Sequence, residues 1–441
     1  MAEVKKSTFA RNVAATLLRL VGVGLMQLAL VAIIARYYGP QGNGVYTVAL
    51  LLPTMLATFL NLGIGPANVY FISRGDIGVR HAWRSTLAVI IVASVIGLLS
   101  GAVAIYYAQV LFPGVSQDIL VLALACFPFL LFTTTISAFF QAVEKFRLFN
   151  FVYVSQPVIA LAGLGYLVIS DETSLLKLFV MYLLSVILSA IIALSIFNRH
   201  ILQSAKLPEA VIDNYSKKML AYGIKSHTSN IITFLNYRLD IFLVNFMLNP
   251  VQAGIYSIAV QLSERLWMLS QAASTVLLPK LAAMLKANKQ SAYLASVVFR
   301  LILMLTLVGA ILFIIIGFQL IELLFGQQFV NSYYALLWLL PGIVVGAGSR
   351  ILSNDIAARG KPEINLYISI GVLVINTAAN LLLIPVMGII GAAIATSLAY
   401  MFNFLLKVCI FARLNKVPVI SMLFNKDKDL AVVKAYLKRH K

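Results

Sequence analysis

The sequence is poor in charge and in cysteine, and each shortage excludes a class of protein. Only 11% of the residues are charged, against roughly 25% in an ordinary soluble domain. Because 61% are hydrophobic, the chain could not cover a water-exposed surface, and we expect an integral membrane protein. The two cysteines, Cys126 and Cys409, lie inside apolar runs. They offer neither a disulfide framework nor a Cys-ligated metal site.

Catalytic signatures are also missing from the sequence. The four histidines are scattered, at His81, His200, His227 and His440. No H-E-x-x-H, G-x-S-x-G, G-x-G-x-x-G or P-loop pattern is present. We therefore expect no enzyme, no metal and no cofactor.

Long apolar runs dominate what is there. A helix that spans the hydrocarbon core needs about 20 mostly apolar residues. The runs that meet this length are 12–35, 45–72, 86–108, 118–141, 150–170, 175–198, 219–246, 254–278, 297–321, 333–352, 364–386 and 389–412. The sequence thus predicts an all-α integral membrane protein of about twelve transmembrane helices, in two six-helix bundles.

The placement of the basic residues predicts the topology. Lys and Arg outnumber Asp and Glu by 34 to 15, and cytoplasmic loops gather Lys and Arg. With a cytoplasmic N-terminus, most loop cations fall on the inner side, and Arg36 and Lys177 fall on the outer side. We predict a multi-pass protein of the cytoplasmic membrane with both termini inside. The net charge of +19 then reflects topology, so nucleic-acid binding is not expected.

An internal repeat supports two related halves. The segment from Pro40, PQGNGVYTVALLL, aligns without gaps on PVQAGIYSIAVQL from Pro250, 210 residues further along the chain. Both copies start from the same side of the membrane, which predicts a pseudo-two-fold axis along the membrane normal and a central cavity. We predict bundles at 1–198 and 219–413, joined by a cytoplasmic linker at 199–218. A basic tail at 414–441 would bind anionic membrane lipids.

Polar residues inside the predicted spans fall on common helix faces. At about 100° per residue, they form one stripe on each of helices 1, 2, 7 and 8: Asn12, Thr16, Arg19; Thr47, Thr54, Thr58, Asn61, Asn68; Lys225, Ser229, Thr233, Asn236, Asp240; Ser257, Gln261, Glu264, Gln271, Thr275. Such stripes can be hydrogen-bonded helix contacts. Ionisable groups within spans favour a hydrated cavity instead, because they survive mainly against protein interior or water.

Three further cations lie near predicted cytoplasmic helix ends, at Arg300, Arg350 and Lys407. We expect them to snorkel towards lipid phosphates. Arg350 is also a candidate for the cavity, since it belongs to the unusually polar helix end SRILSND.

The segments ARYYGPQGNGVYTVALLL and LNLGIGPANVYFISR, with the helix count and the repeat, give the chain its resemblance to a known family. It resembles the lipid-linked oligosaccharide and O-antigen flippases (Wzx-type polysaccharide exporters) of the multidrug/oligosaccharidyl-lipid/polysaccharide superfamily. The resemblance implies two bundles around a cavity that opens alternately to either side. It also implies that the cargo is an undecaprenyl-diphosphate-linked glycan.

Within that resemblance, the residues suggest roles. Arg19 and Lys225 are cations that suit a diphosphate, and we predict that Arg265 and Arg350 assist them. Amides would contact sugar hydroxyls, from Asn61, Asn236, Gln261 and Gln271. Asp240 and Glu264 would couple transport to H+ or Na+. We expect a monomer that works with the polysaccharide polymerase and the export machinery.

Two alternatives remain open. A multidrug exporter of the same superfamily would carry organic cations and should have an acidic, aromatic-lined cavity. A lipid-II-type flippase commonly has two extra helices after the twelfth, whereas this chain ends in a basic tail.

Overall fold

A computed structural model of the chain describes residues 2–203, 212–286, 291–419 and 422; the side chains of residues 2–18, 20, 225, 226, 276, 279, 283 and 286 are outside the description. In the described residues the fold is all-α. The helices are α1 (Ala2–Leu60), α2 (Ile64–Ser73), α3 (Val79–Tyr106), α4 (Ala108–Leu111), α5 (Gln117–Ala142), α6 (Phe146–Ile169), α7 (Leu175–Phe197), α8 (Tyr215–Met247), α9 (Pro250–Arg265), α10 (Trp267–Lys286), α11 (Ser291–Phe325), α12 (Asn331–Ala358) and α13 (Pro362–Asn415). A π-helical turn, Asn198–Leu202, extends α7.

These helices account for all twelve predicted spans. Within the described ranges, eight helical stretches are long and apolar enough to cross a membrane. Two of them, Val21–Leu60 and Pro362–Asn415, each overlap two predicted spans. Predicted spans 7 and 8 correspond to α8 and to the α9–α10 pair, which carry two of the polar stripes. A multi-pass helical membrane protein follows.

Single glycines make the sharp breaks inside α1 and α13. Gly39 has φ 67° and ψ −173°, and Gly388 has φ 59° and ψ −137°. A positive φ is easily reached by glycine because it lacks a Cβ. Pro40 then begins the next helical segment with its φ already constrained. The connections expected at 36–44 and 387–388 therefore reduce to one non-helical residue each.

The chain separates into two compact units. Unit 1 comprises Met1–Ile255 with Leu324–Gln328, and unit 2 comprises Tyr256–Leu323 with Phe329–Lys441. Helix α8 packs against α1, α2 and α3 within unit 1. The division around a linker at 199–218 remains a prediction, and residues 204–211 of that linker lie outside the described residues. The same is true of most of the 414–441 tail.

The first residues of the two repeat copies, at 40–44 and 250–254, pack directly on one another within unit 1. A Cβ on Gly44 would lie 1.7 Å from the Pro250 carbonyl oxygen, and a Cβ on Gly254 would lie 2.3 Å from the Pro40 carbonyl oxygen. The Asn43 side-chain amide donates to the Gly254 carbonyl oxygen at 2.9 Å. Only residues without a side chain allow this backbone approach.

Each unit has its own apolar core. In unit 1, residues from α2, α3, α5, α6, α7 and α8 form one buried cluster that includes Ile136, Phe139, Phe197 and Tyr215. In unit 2, a smaller cluster joins Ile368 and Val372 of the first part of α13 to Ala399 of its second part. Elsewhere large apolar side chains are exposed along α3 and α11, such as Leu99 and Ile315. Apolar surface of that extent marks contact with lipid.

Candidate functional site: a polar cavity beside Arg19

Arg19 is held against two aromatic rings of α6. Its guanidinium carbon lies 4.7 Å from the Tyr153 ring centroid and 5.1 Å from that of Phe149. Both distances are within the range of a cation–π interaction. The Arg19 Nε is buried and has no hydrogen-bond partner among the described residues. The rings fix the cation and leave one of its donors available for an anion.

Tyr153 also lines a cavity inside unit 1. The cavity has a volume of about 170 Å³ and lies between α1, α5, α6 and α7. That is room for several waters or one polar group, and it is too small for an oligosaccharide. The residues around it are Val23, Gln27, Leu130, Thr133, Thr134, Ser137, Val152, Tyr153, Gln156, Pro157, Val186 and Ser189. Hydroxyl and amide side chains therefore line a cavity between helices that are mostly apolar.

Most of these hydroxyls and amides already have protein partners. The Gln156 amide donates to the Ser185 hydroxyl at 3.2 Å, and the Ser155 and Ser189 hydroxyl oxygens are 2.8 Å apart. Ser137 donates to the Thr133 carbonyl oxygen at 2.7 Å. The Thr133 hydroxyl oxygen is different, because it is buried without a partner in the described part of the chain. An unsatisfied buried hydroxyl costs free energy unless water or a ligand completes it.

The cavity residues on α5 and α6 were not predicted from the sequence, because polar stripes were predicted only on helices 1, 2, 7 and 8. A usable signal was present. Arg19, Val23 and Gln27 follow one another at intervals of four, so they share a face of α1. Thr133 and Ser137 repeat that spacing on α5.

The predicted stripe on helix 2 has mixed roles. Asn68 is fully buried; its amide donates to the Thr86 hydroxyl at 3.0 Å, and its side-chain oxygen accepts from the Tyr215 hydroxyl at 2.7 Å. This part of the stripe is a helix contact. Thr54 donates to the carbonyl oxygens of its own helix, whereas Asn61 is half-buried.

Of the predicted stripe on α8, Asn236 and Asp240 are buried, whereas Ser229 and Thr233 are exposed. Asn236 is 7% exposed and Asp240 is 4% exposed. The Asn236 amide donates to the Ile232 carbonyl oxygen at 3.0 Å, and the backbone amide of Ile241 donates to the Asp240 carboxylate at 2.8 Å. The side chain of Lys225 lies outside the described residues, so its role as a diphosphate ligand remains a prediction.

The other predicted residues belong to unit 2. Gln261, Glu264 and Arg265 are half-buried, and Gln271 is exposed. The Arg350 guanidinium carbon lies 5.7 Å from the Trp267 ring centroid, and the Trp267 indole donates to the Ile343 carbonyl oxygen at 3.0 Å. The proposed substrate and ion-coupling roles of this set remain predictions.

The expected snorkelling of Arg300 and Lys407 is corrected by their burial. Arg300 is 5% exposed and donates to the Met422 carbonyl oxygen at 2.7 Å, and Lys407 is 6% exposed. The physical reason is local packing. Val408 and Phe411, beside Lys407 on α13, are buried as well, so this face of the helix turns inward.

Comparison with known protein families gives a match to most of the chain. A family model described as polysaccharide biosynthesis protein matches residues 9–285. A protein of Shigella flexneri assigned as an O-antigen transporter is 25% identical over 412 residues, which is 88% of this chain and 94% of that protein. A low-salt glycan biosynthesis flippase assigned in Haloferax volcanii, Agl15, is 24% identical over 191 residues, covering 43% of this chain and 40% of that protein. The relatives are named as a transporter and a flippase, not as enzymes.

Solved structures share the fold at low sequence identity. The lipid II flippase MurJ in an inward closed conformation superimposes with a TM-score of 0.76 at 15% identity, over 96% of this chain and 92% of that one. An inward-facing multidrug resistance transporter of the MATE family, in the MOP superfamily, gives 0.72 at 14% identity, over 89% and 96%. The two-lobed helical membrane fold expected from the sequence is confirmed.

Proposed function

Because the chain belongs to the polysaccharide biosynthesis protein family, we propose that it is a flippase for a lipid-linked glycan. In this proposal it moves an undecaprenyl-diphosphate-linked oligosaccharide from the inner to the outer leaflet of the cytoplasmic membrane. The observation that carries the proposal is the Arg19 guanidinium beside a polar cavity inside apolar helices. A diphosphate and sugars are the parts of such a lipid that the membrane core excludes.

Arg19 is suited to bind the diphosphate, which is the charged part of that substrate. A guanidinium binds phosphate oxygens through paired hydrogen bonds, and these are stronger than bonds between neutral groups. Because Tyr153 and Phe149 already hold the guanidinium, less side-chain freedom is lost when the anion binds. Lys225 serves as a second cation for the diphosphate.

The cavity is suited to bind sugars, which are the neutral part of that substrate. Sugar hydroxyls donate and accept hydrogen bonds, and Gln27, Gln156 and Thr133 provide both functions. A volume of about 170 Å³ suits one sugar or one phosphate at a time, with the remaining glycan outside. Asn61, Asn236, Gln261 and Gln271 make the further sugar contacts, and Arg265 and Arg350 assist with charge.

Transport by alternating access needs a source of energy, and we assign its coupling to the carboxylates of Asp240 and Glu264. Asp240 is 4% exposed, and a buried carboxylate exchanges a proton or Na+ only when a conformational change exposes it. The coupling ion is H+ or Na+. Both termini face the cytoplasm in this proposal.

Cavity chemistry favours an anionic glycolipid over an organic cation. No residue around the described cavity carries a carboxylate, and the cation Arg19 lies against Tyr153, which lines the cavity. A multidrug exporter of organic cations would place a negative charge there. The MurJ likeness concerns the fold alone.

Ligand-dependent stability of the purified full-length chain tests the proposal. A ligand at 100 times its dissociation constant raises the unfolding free energy by about 2.7 kcal/mol. We expect a polyprenyl-diphosphate-linked glycan to raise the thermal midpoint, and the organic cation tetraphenylphosphonium to leave it unchanged. The reverse pattern would support the multidrug exporter and contradict the flippase.

A further inference from the structure

Lys407 is a buried cation in unit 2 that the proposed transport site does not use. It lies in the second part of α13, 6% exposed. Within the described ranges, no hydrogen bond or ion pair reaches its ammonium group. Helix α12 packs extensively against α13, and the positive charge of Arg350 on α12 acts on Lys407.

Arg350 is held in place by the aromatic side chain of Trp267. Its guanidinium carbon stands 5.7 Å from the Trp267 ring centroid. The indole is fixed in turn by its hydrogen bond to the Ile343 carbonyl oxygen at 3.0 Å and by Tyr400, whose ring centroid is 5.3 Å away. The second cation is therefore positioned by packing and does not depend on Lys407.

The two cations lie at the same depth in unit 2. Arg350 precedes the end of α12 at Ala358 by eight residues, and Lys407 precedes the end of α13 at Asn415 by eight residues. At 1.5 Å per residue, each lies about 12 Å inside its helix end. The ends are tied together, because Asn415 and Arg359 both donate to the Asp355 carboxylate, at 3.0 and 2.9 Å. Asp355 is thus already engaged at the helix ends.

Two neighbouring cations in a low-dielectric interior repel each other and lose their hydration. An anion between them removes the repulsion and supplies the acceptors that an ammonium group needs. Phosphate oxygens suit this pair, because an ammonium binds them as a point charge and a guanidinium binds them through paired donors.

We propose that Lys407 and Arg350 form a second anion-binding site, within unit 2, for a phosphate or diphosphate group. The group comes either from an anionic lipid headgroup or from the diphosphate of the carried lipid. The second source rests on the proposed function, whereas anion binding does not. The site has the same chemistry as Arg19 but is built from α12 and α13, and the assistance that the proposed function assigns to Arg350 takes place here.

Variants of the full-length chain test the site with inorganic pyrophosphate as the probe. An Arg19→Met background removes the first anion site, and calorimetry then measures pyrophosphate affinity. Lys407→Met should weaken binding about tenfold or more, which is typical of losing a hydrogen bond to a charged group. Lys407→Arg should keep it. The matched control is Lys177→Met, at an exposed lysine paired with Glu172, and it should bind as the background does.

A second measurement uses the wild-type protein, so its result does not depend on whether a variant folds. Mass spectrometry after amine acylation should show that pyrophosphate at ten times its dissociation constant slows the labelling of Lys407 about tenfold. Lys177 should be unaffected. Equal affinity in Lys407→Met and the background, or equal labelling of Lys407 with and without pyrophosphate, overturns the site.

Competition identifies the source of the anion. Loss of pyrophosphate binding in nanodiscs that contain phosphatidylglycerol, compared with phosphatidylcholine alone, indicates a lipid headgroup. Competition by a polyprenyl diphosphate indicates the carried lipid. A wild-type protein that binds pyrophosphate through Lys407 but moves no glycolipid would contradict the proposed function and leave this site standing.

Discussion

Gly44 and Gly254 each face the carbonyl oxygen of the proline that begins the other's helical segment. The Cβ positions would lie 1.7 Å from Pro250 O and 2.3 Å from Pro40 O. Because the two glycines are equivalent in the 210-residue repeat, the contact is reciprocal.

This contact predicts a coupled stability effect of alanine substitutions. Gly44→Ala and Gly254→Ala should each lower the unfolding free energy by about 1–3 kcal/mol, because a methyl group meets backbone that cannot rotate away. The double variant should cost less than the sum, since the first change already separates the segments. Thermal midpoints in detergent measure this. Gly165→Ala is the control, with no atom within 4 Å of its Cβ position; an equal loss there would contradict the packing argument.

A second prediction concerns the ring that holds Arg19. Tyr153→Leu should reduce glycan transport by about 2- to 30-fold, the equivalent of 0.5–2 kcal/mol of cation–π interaction. Tyr153→Phe keeps the ring and should retain most activity. Arg19→Met should abolish transport, and Arg19→Lys should retain a part of it. Transport in reconstituted vesicles, normalised to inserted protein, measures the series. A Tyr153→Leu protein as active as Tyr153→Phe would show that the ring does not position the cation.

A third prediction is that replacing Thr133 changes stability and transport in opposite directions. Its buried hydroxyl oxygen has no partner among the described residues, so Thr133→Val should leave the thermal midpoint unchanged or raise it. The same change removes a polar group from the cavity and should slow transport. Thr135 is the matched control, because its buried hydroxyl donates to the Leu131 carbonyl oxygen at 2.8 Å. Thr135→Val should lower the free energy of unfolding by about 1 kcal/mol, which lowers the thermal midpoint, and should leave transport unchanged. Destabilisation by Thr133→Val together with slower transport in Thr135→Val would contradict this prediction.

Ion coupling is tested at Asp240 and Glu264. Asp240→Asn and Glu264→Gln remove the proton or Na+ site while keeping the side-chain shape. If either carboxylate couples transport, the variant should lose acceleration by an imposed pH or Na+ gradient and keep slow movement down the substrate gradient. Vesicles loaded at different pH or Na+ concentration measure this. An undiminished gradient response in both variants would remove the coupling role.

The helices and their order could be predicted from the sequence because lipid imposes a simple rule: about 20 apolar residues for each span. The repeat was also visible, since Pro40 and Pro250 begin matching segments. The single-residue breaks at Gly39 and Gly388 were not, because apolar runs do not show where a backbone turns.

The cavity illustrates why sites are harder to predict. Arg19 was identified from its charge, but Tyr153, Thr133 and Gln156 come from α5 and α6, and only packing brings them to α1. Lys407 was expected to snorkel because it lies near a helix end, whereas its side chain is buried, as are those of Val408 and Phe411. The sequence pattern shows which face of its helix a residue occupies. Which other helix packs against that face is decided by the tertiary structure.

The central claim is tested most directly by following a fluorescent undecaprenyl-diphosphate-linked oligosaccharide in vesicles that contain the purified chain. A membrane-impermeant quencher reports the fraction of glycolipid in the outer leaflet over time. We predict rapid equilibration between leaflets with the wild-type protein and with Lys177→Met, and rates near those of protein-free vesicles with Arg19→Met. Equal rates in protein-free and wild-type vesicles, or full activity of Arg19→Met, would contradict the account.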